Sequence, residues 1–423
     1  MTNSYYKITL TPVDKFFFGG DLSFSIGEDE KSPFNRQYAS YIIQSSRFPQ
    51  QTSLLGMLRF LILRNSTNGA FKGNSIVDPS KANELIGSNS FSVTDGKTEG
   101  SFGKIKSISH VRILRSETNG ETRRETELEF APLFGTINFA DSIKEGSYNL
   151  GQQSIPRLSE KQYDAKDGLD TLLIPLAHID NYFQNHEGIT RVRKEREKNN
   201  DENNVYEQGV TLYKPSDIFL EDRRIGIARS IKTGRPDDGA LFKQISYRFN
   251  NKKATHSFVF YAKVDDIDLT QYDKQMVTIG GDNSQFIIGI TKEVDPSKDK
   301  SSESKDSSST PLALSLLSPA FITREVVKGN TSFAITQLMP FRFLTDREAD
   351  DLNQSYHILN SRLKRSGRYE LYAPGTVFYF NDDKKRDSFI EALTARKDFI
   401  KVLTARKDFI QIGYNEYNII NKY

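Results

Sequence analysis

Residues 46–59 have the sequence SRFPQQTSLLGMLR. An extended segment ends at Pro49, a polar turn follows, and a nearly continuous apolar run comes next. We predict a helix over Thr52–Arg64, with Thr52 or Ser53 placed to cap it. Because apolar residues lie on almost every side of this helix, we expect it to be largely buried.

The start of this helix is the first candidate binding site. A helix N-terminus presents free N–H groups and a partial positive charge, which suits a phosphate. The ring of Phe48 offers a face on which a base can stack. A glycine inside a helix lowers the stability of the helix by ~1 kcal/mol relative to Ala, so Gly56 indicates that another backbone packs closely there. The flanking charge and side-chain donors are Arg47, Gln50, Gln51, Thr52 and Ser53. An ordinary capped core helix is an equally good explanation.

Strands dominate the rest of the pattern. Apolar and polar residues alternate from Tyr6 to Thr11, which predicts a half-buried strand. Stretches rich in Phe, Val, Ile and Tyr predict further strands at Ser257–Val264, Gln285–Ile290 and Thr376–Phe380. The sequence therefore predicts an α+β protein with more strand than helix.

Length and composition limit the class of protein. A chain of 423 residues corresponds to two or three domains at ~100–200 residues each, and we place a boundary near residues 210–220, giving domains of 1–215 and 216–423. No apolar run reaches the ~18–20 residues of a membrane span, and no signal-peptide pattern opens the sequence. We expect a soluble, cytoplasmic protein. The absence of cysteine excludes disulfides, thiol catalysis and Cys-based metal sites.

Three polar stretches predict loops or insertions: Arg115–Glu129, Arg191–Gln208 and Lys292–Thr310. The last is a low-complexity run of Ser, Lys and Asp, so we expect disorder near residues 292–310. For Arg191–Lys198, the interleaved glutamates favour a solvated loop over a basic arm.

The octapeptide LTARKDFI occurs twice, at Leu393–Ile400 and at Leu403–Ile410. Repeat architectures need three or more units of ~20–50 residues, so we interpret the pair as a local duplication. We expect the first copy to close a helix and the second to lead into a strand.

Basic residues are concentrated in two islands. Lys31–Arg64 contains five basic residues and no acidic one, and Arg223–Phe249 contains seven against Asp237 and Asp238. Such islands in a chain of net charge +3 indicate a localised anion-binding surface. Solvated surface charge that the fold balances elsewhere explains them equally well.

The second island combines charge with aromatic residues. Arg229, Lys232 and Arg235 recur at three-residue intervals between glycines, and Phe242, Tyr247 and Phe249 follow. Basic groups interleaved with rings suit single-stranded nucleic acid, where charge follows the backbone and rings stack on bases. A hairpin that carries salt bridges is the alternative.

Conventional catalytic motifs are absent from the sequence. It contains no HExxH, GxSxG, Walker or Rossmann motif, and its five histidines are scattered. Two turns complete the candidate elements: Pro374-Gly375, which leads into a strand, and Gly413-Tyr414-Asn415, where Gly and Asn tolerate left-handed geometry. We expect neither a metal nor another cofactor.

In their order along the chain, several elements resemble the RAMP superfamily (repeat-associated mysterious proteins) of CRISPR–Cas effector complexes. More narrowly, the chain resembles the Cmr-type (type III-B) subunit that caps the 5′ end of the guide RNA. The matching elements are KITLTPVDKFFFGGD (7–21), SRFPQQTSLLGMLR (46–59), RRIGIARSIKTGRPDDGALF (223–242), LSPAFIT (317–323), APGTVFYF (373–380) and the late Gly413.

The resemblance implies two ferredoxin-like (RRM-like) units with strand-rich insertions, and a basic groove that holds the 5′ tag of the crRNA. It also implies contacts with the large polymerase/cyclase-like subunit and with a backbone RAMP subunit, an indirect contact with target RNA, and no nuclease activity in this subunit. The RNA-binding residues that it implies are Arg47, Phe48, Gln50, Gln51, Thr52, Ser53, Gly56, Arg59, Arg229, Lys232, Arg235, Gly375 and Gly413.

One residue departs from the family pattern. RAMP proteins commonly end in a loop with Gly-aromatic-Gly character, and here Asn415 stands at the place of the second glycine. The C-terminal loop is therefore assigned either to RNA contact or to packing against protein.

Two alternatives to a non-catalytic RNA-binding scaffold remain. The first is a RAMP endoribonuclease that processes precursor crRNA with a histidine, and His110 is the candidate because basic residues surround it at Lys104, Lys106 and Arg112. The second is a protein-interaction module with solvated basic faces and no RNA role.

Overall fold

The computed structural model describes residues 3–19, 22–25, 40–87, 102–120, 122–133, 147–150, 153–156, 172–179, 205–207, 210–229, 236–294, 313–342, 344–345, 364–365, 369–394 and 407–420. The helices are α1 (Gln51–Arg64), α2 (Pro79–Ile86), α3 (Pro215–Ile218), α4 (Arg324–Asn330), α5 (Asp383–Leu393) and α6 (Lys407–Gln411), with 3₁₀ turns at Leu176–His178 and Leu269–Tyr272.

The strands, numbered in chain order, are β1 (Asn3–Pro12), β2 (Leu22–Ser25), β3 (Ser40–Gln44), β4 (Phe71–Lys72), β5 (Ser75–Ile76), β6 (Ile105–Ile108), β7 (Arg112–Asn119), β8 (Thr122–Phe130), β9 (Ser147–Leu150), β10 (Gln153–Pro156), β11 (Leu173–Pro175), β12 (Val205–Glu207), β13 (Val210–Leu212), β14 (Phe219–Arg229), β15 (Pro236–Phe249), β16 (Thr255–Asp265), β17 (Met276–Thr278), β18 (Gln285–Glu293), β19 (Ala313–Leu316), β20 (Phe333–Ile335), β21 (Leu338–Phe341), β22 (Leu344–Thr345), β23 (Lys364–Arg365), β24 (Tyr369–Tyr372), β25 (Val377–Tyr379) and β26 (Tyr417–Ile420).

The first strand lies inside the largest sheet of the described residues. This antiparallel sheet has the order β11-β8-β7-β16-β1-β18-β17, and β6 also pairs with β16. β1 is hydrogen-bonded on both edges, with Ile8 opposite Phe260 on one side and Ile290 on the other. The first strand of the chain therefore lies between two strands that follow it by about 250 residues or more.

The alternation along β1 places one face of the sheet in the core. Ile8 and Leu10 are fully buried, whereas Lys7 and Thr9 on the opposite face are only half-buried. The buried face packs against α1, whose Leu54 and Leu58 belong to the same hydrophobic cluster. Each fully buried Leu or Ile contributes about 1.5–3 kcal/mol relative to an exposed one, so this layer holds the helix on the sheet.

A second sheet begins where β1 ends. Its order is β14-β15-β3-β2, with β15 and β3 parallel. Phe16, just beyond β1, forms a bridge with Tyr247 of β15, and its ring packs against Phe219, Phe249 and Phe258. This aromatic group joins the base of the β14–β15 hairpin to the main core.

The C-terminal part of the chain builds a third sheet with the order β20-β25-β19-β26. Helix α5 packs on it through Phe389 and Leu393, which share a cluster with Leu314 and Phe378. β26, the last described strand, pairs with β19, which is the first strand of this sheet in chain order.

Most of the predicted elements are confirmed. The strands predicted at Tyr6–Thr11, Ser257–Val264, Gln285–Ile290 and Thr376–Phe380 correspond to β1, β16, β18 and β25, and the protein is α+β with more strand than helix. The predicted helix is α1, which begins at Gln51. Whether the sheets form ferredoxin-like units stays a prediction.

The loop predicted at Arg115–Glu129 is wrong, because this stretch lies in the β7–β8 hairpin. Its charges occupy strand positions and pair along the hairpin, as Arg115 does with Glu117 and Arg123 with Glu125. Ile113 and Leu128 face each other in the core. A charged hairpin with a narrow apolar face has the composition of a loop.

Other predictions fall partly outside the described residues. Of Arg191–Gln208 only 205–207 are described, in β12, and of Lys292–Thr310 only 292–294, at the end of β18. The division at 215/216 stays a prediction, although β1 pairs with strands from beyond it. None of the described helices is long and apolar enough to cross a bilayer.

The duplicated octapeptide takes two different positions. Leu393 of the first copy is the last residue of α5, so this copy closes a helix as expected. Lys407–Ile410 of the second copy lie in α6, and a turn then leads to β26. The residues between, 395–406, lie outside the described part.

Two adjacent isoleucines in β18 test the assignment of the faces of the main sheet. Ile288 is fully buried, whereas Ile287 is 45% exposed. We expect Ile288→Ala to lower the free energy of unfolding by about 2–5 kcal/mol and Ile287→Ala to change it by less than about 1 kcal/mol. Urea titration measures both; equal losses would contradict the assignment of the faces.

Candidate nucleic-acid interface at the start of the first helix

The first turn of α1 carries no acidic residue. Gln50 is the N-cap residue; its backbone is extended and its side chain makes no capping bond. The prediction that Thr52 or Ser53 caps the helix is wrong, because the helix begins before both of them. They lie in its first turn, half-buried, where the partial positive charge of the helix start is strongest.

Arg47 and Phe48 precede the helix and have different surroundings. The Arg47 guanidinium lies 5.7 Å from the centroid of the Tyr247 ring, a cation–π distance. Phe48 packs against the rings of Phe130 and Phe219, with centroids 4.9 and 5.5 Å away. Phe48 therefore belongs to the core, and this packing does not support its predicted role as a stacking face for bases.

Gln51 is buried and ties three segments together. Its side-chain amide donates to the carbonyl of Ser109 at 2.7 Å and to that of Ile412 at 2.6 Å. Both bonds are internal to the protein, so the structure gives Gln51 a role in holding the C-terminal loop, residues 412–416, against the start of α1.

The C-terminal loop turns at two left-handed residues, as the sequence predicts. Gly413 has φ +84° and Asn415 has φ +61°. The Asn415 side chain accepts from the amide of Phe321 at 2.8 Å and donates to the carbonyl of Leu393 at 2.9 Å. Asn415 thus serves protein packing, joining the loop to the end of α5.

Tyr414, between these two residues, is directed at the first turn of α1. Burial raises the pKa of the Tyr414 hydroxyl, while hydrogen bonds with Thr52 and with the backbone of Gln51 lower it by a smaller amount. Part of the helix start is therefore covered by a side chain of the C-terminal loop.

A buried ion cluster fixes this loop from the other side. Both ring nitrogens of His110 contact carboxylates at 2.6 Å, Nε2 that of Glu129 and Nδ1 that of Glu416. The Arg112 Nε donates to the same Glu129 oxygen at 2.7 Å. Glu416 also accepts from the His110 backbone amide at 3.0 Å.

Charge and burial act in opposite directions in this cluster. Burial lowers the pKa of His110, but Glu129 and Glu416 outweigh it and raise that pKa to about 9. Burial likewise raises the pKa of Glu129, and His110 with Arg112 holds it far below its usual range. At neutral pH His110 is a buried cation between two anions.

The outer side of α1 is open at Gly56. This residue is exposed, and a Cβ atom placed there would meet nothing within 4 Å. The expectation that Gly56 packs closely against another backbone is not met among the described residues. Nearby, Arg59 lies over the Phe102 ring at 5.2 Å, and burial lowers the pKa of Arg59 to about 10.

The described part of the second basic island is a salt-bridged hairpin. Arg223 pairs with Glu221 at 2.6 Å, and the rings of Tyr247 and Phe249 are buried. The expectation that these two rings stack on nucleic acid is therefore wrong. Arg229 lies at the end of β14 with its side chain undescribed, and Lys232 and Arg235 lie outside the described residues.

Gly375 is away from this surface and faces protein. It is buried with φ +85°; its amide donates to the Leu316 carbonyl at 2.7 Å and its carbonyl accepts from Leu133 at 2.8 Å. The turn thus joins β19 and β25 to the end of β8. These contacts are structural, and they do not support the RNA contact predicted for Gly375.

The ion cluster is the part of this region that sequence reasoning missed. Glu125, Glu127 and Glu129 alternate with Thr126, Leu128 and Phe130, a period of two that marks a strand with an acidic face. No local sequence pattern marks Glu416 as a member of the cluster, because its partner His110 is 306 residues away. Among the described residues no group of His, Asp and Glu could hold a metal ion.

The packing of Gly413 gives a test of this arrangement. A Cβ atom there would clash with the Gln51 side chain and the His110 amide, whereas at Gly69, also left-handed, it would meet nothing within 4 Å. We expect Gly69→Ala to lose about 1 kcal/mol from backbone strain and Gly413→Ala to lose clearly more. Thermal unfolding measures both, and equal losses would contradict the packed loop.

Comparison with known proteins gives the family. The model of the family described as CRISPR-associated protein (Cas_Cmr3) matches residues 180–422. No curated protein matches the chain.

Two solved structures are similar to the chain. A chain in the cryo-EM structure of the type III-B Cmr-beta bound to cognate target RNA is 14% identical, with 98% of each chain covered and a TM-score of 0.48. One in the structure bound to cognate target RNA and AMPPnP, state 1, is 14% identical, covering 96% of this chain and 94% of that chain, with a TM-score of 0.41. Since the family model spans more than half of the sequence, the chain belongs to the Cas_Cmr3 family of CRISPR-associated proteins.

Proposed function

We propose that this protein is a non-catalytic, RNA-binding subunit of a type III-B CRISPR effector complex. It grips the 5′ tag of the crRNA and joins the large polymerase/cyclase-like subunit to the backbone filament. Membership of a CRISPR-associated family supports the assignment to a CRISPR effector complex. The observation that carries the RNA role is the charge of the start of α1 and the segment before it.

This surface favours an anion. Arg47 precedes the helix, and the first turn of the helix carries no acidic residue. On its outer side, exposed Gly56 leaves room for a backbone to approach. Phosphate contacts from such residues supply most of the affinity for RNA, and this part of the affinity weakens with salt.

The thirteen predicted RNA contacts differ in their surroundings. Arg47, Gln50, Thr52, Ser53 and Gly56 are half-buried or exposed and stay the proposed RNA contacts, whereas the Arg59 side chain lies over the Phe102 ring, where burial lowers its pKa. Phe48, Gln51, Gly375 and Gly413 make internal contacts that account for their side chains or turns. Arg229, Lys232 and Arg235 keep their predicted role.

The position of His110 does not support the endoribonuclease alternative. A general base must reach the proton that it removes, yet this side chain is only 2% exposed and both ring nitrogens contact carboxylates. A cation held between two anions is also a poor base. The geometry gives His110 a structural role.

The first experiment is a pull-down of the tagged protein from its host, followed by sequencing of the bound nucleic acid. Small RNAs that share one repeat-derived 5′ handle, together with the large and backbone subunits, are the expected result. Recovery of the subunits without RNA would favour a protein-interaction module. Recovery of neither would overturn the proposed function.

Substitutions test the RNA contacts. We expect Arg47→Ala and Arg229→Ala each to weaken binding of the recovered crRNA by about 5–30-fold, the loss of about 1–2 kcal/mol from one charged contact. The slope of log affinity against log salt should fall by ~0.7 per lost contact. Fluorescence anisotropy at several salt concentrations measures both quantities.

Arg324→Ala is the matched control, because Arg324 is 67% exposed and pairs with Glu370 on β24. Its affinity and salt slope should equal those of the unmodified protein. If all three variants bind alike, with unchanged thermal unfolding, the contacts assigned to Arg47 and Arg229 are incorrect.

A further inference from the structure

The ion cluster at His110 is one end of a longer row of charges on the outer face of the main sheet. In this row, here called the ion row, positive and negative groups alternate without interruption. Its members in spatial order are Lys7, Glu127, Arg112, Glu129, His110 and Glu416, with successive contacts of 3.1, 3.6, 2.7, 2.6 and 2.6 Å. The row crosses from β1 to the C-terminal loop.

Burial differs between Glu416, at one end of the row, and the two members before it. Glu129 is fully buried and His110 is 2% exposed, whereas the Glu416 side chain is 31% exposed. Glu416 is also the row's link to the third sheet, because its backbone amide donates to Ser318 Oγ at 2.8 Å and its carbonyl accepts from Leu317 at 2.9 Å.

The contacts at His110 require both ring nitrogens to be donors. A carboxylate only accepts hydrogen bonds, and a neutral imidazole has one donor and one acceptor. With a carboxylate oxygen 2.6 Å from each nitrogen, a neutral ring would direct a lone pair at one of the two anions. The geometry is that of an imidazolium.

We propose that His110 and Glu416 form a protonation-dependent latch, which holds the C-terminal loop against the main sheet while the imidazole carries its second proton. When that proton leaves, one carboxylate loses its ring N–H donor, and Glu416 then has only the bond from the His110 backbone amide, at 3.0 Å. Glu129 keeps Arg112 as a partner and has no access to water, whereas Glu416 can turn to solvent. The latch therefore opens at Glu416.

The charged and titratable groups that face the latch lie on four strands and in the C-terminal loop. The carboxylates raise the pKa of His110 to about 9 against the effect of burial, and Arg112 acts in the opposite direction by compensating Glu129. The groups are Glu127 and Glu129 on β8, Arg112 on β7, Lys7 on β1, Tyr261 on β16 and Glu416 in the loop.

The sign of the pH dependence follows from that shift. A histidine whose pKa rises on folding stabilises the folded arrangement fully below its unfolded pKa of about 6.5, and the contribution disappears as the pH rises through the folded value of about 9. The loop should be held at pH 7.5 and released near pH 10. Any effect of release on RNA depends on the proposed function; the latch itself does not.

Hydrogen exchange of the full-length protein tests the latch. We expect the protection factor of a peptide spanning residues 409–418, corrected for intrinsic exchange, to fall about tenfold or more between pH 7.5 and pH 10. A peptide from β1 serves as the internal reference. An unchanged ratio between the two peptides up to pH 10 would overturn the proposal.

Two variants and a control separate the latch from general instability. Glu416→Gln leaves His110, Glu129 and Arg112 in place, and should show low loop protection already at pH 7.5 with no further fall. His110→Gln should do the same. His256→Gln, a buried histidine beside Asn251 and Phe249, should behave as the unmodified protein. A Glu416→Gln profile that matches the unmodified protein would also overturn the latch.

Discussion

The carboxylate of Glu129 has no access to water, and this constraint organises the region around the C-terminal loop. A buried charge is tolerated only when it is paired and hydrogen-bonded. Arg112, two positions after His110 along the chain, and His110 itself supply the pairing. Since His110 then needs a second anion on its other nitrogen, the position of Glu416 is fixed, and with it the path of the chain into β26.

In the proposed function, one short sequence in the same region serves two purposes. In SRFPQQTS, Phe48 packs against the core and buried Gln51 holds the C-terminal loop, whereas Arg47, Gln50 and Ser53 are half-buried and are the contacts that the proposed function assigns to RNA. A motif that binds a ligand with some residues must be positioned by the others. The inward residues keep the outward ones at a constant distance from the loop.

Local patterns were sufficient to predict β1, α1 and the turn at Gly413, because alternation, apolar content and left-handed geometry are properties of neighbouring residues. They failed at Arg115–Glu129, where charge density concealed a strand period. They also gave no indication that Phe48 and Tyr247 are packed among other aromatic rings. The His110 cluster was beyond reach for a different reason: its members come from three distant segments, and only the tertiary fold brings a histidine and two glutamates together.

The place of β1 within the main sheet has a consequence for biosynthesis. β1 is made before both of its neighbours, β16 and β18, which emerge about 250 residues or more later. At roughly 5–20 residues per second, a nascent chain carries this strand unpaired for on the order of ten seconds to a minute. During that time Tyr6, Ile8 and Leu10 are accessible to chaperones and to other ribosome-bound chains. β1 is thus a segment whose apolar face stays exposed during translation until its partner strands are made.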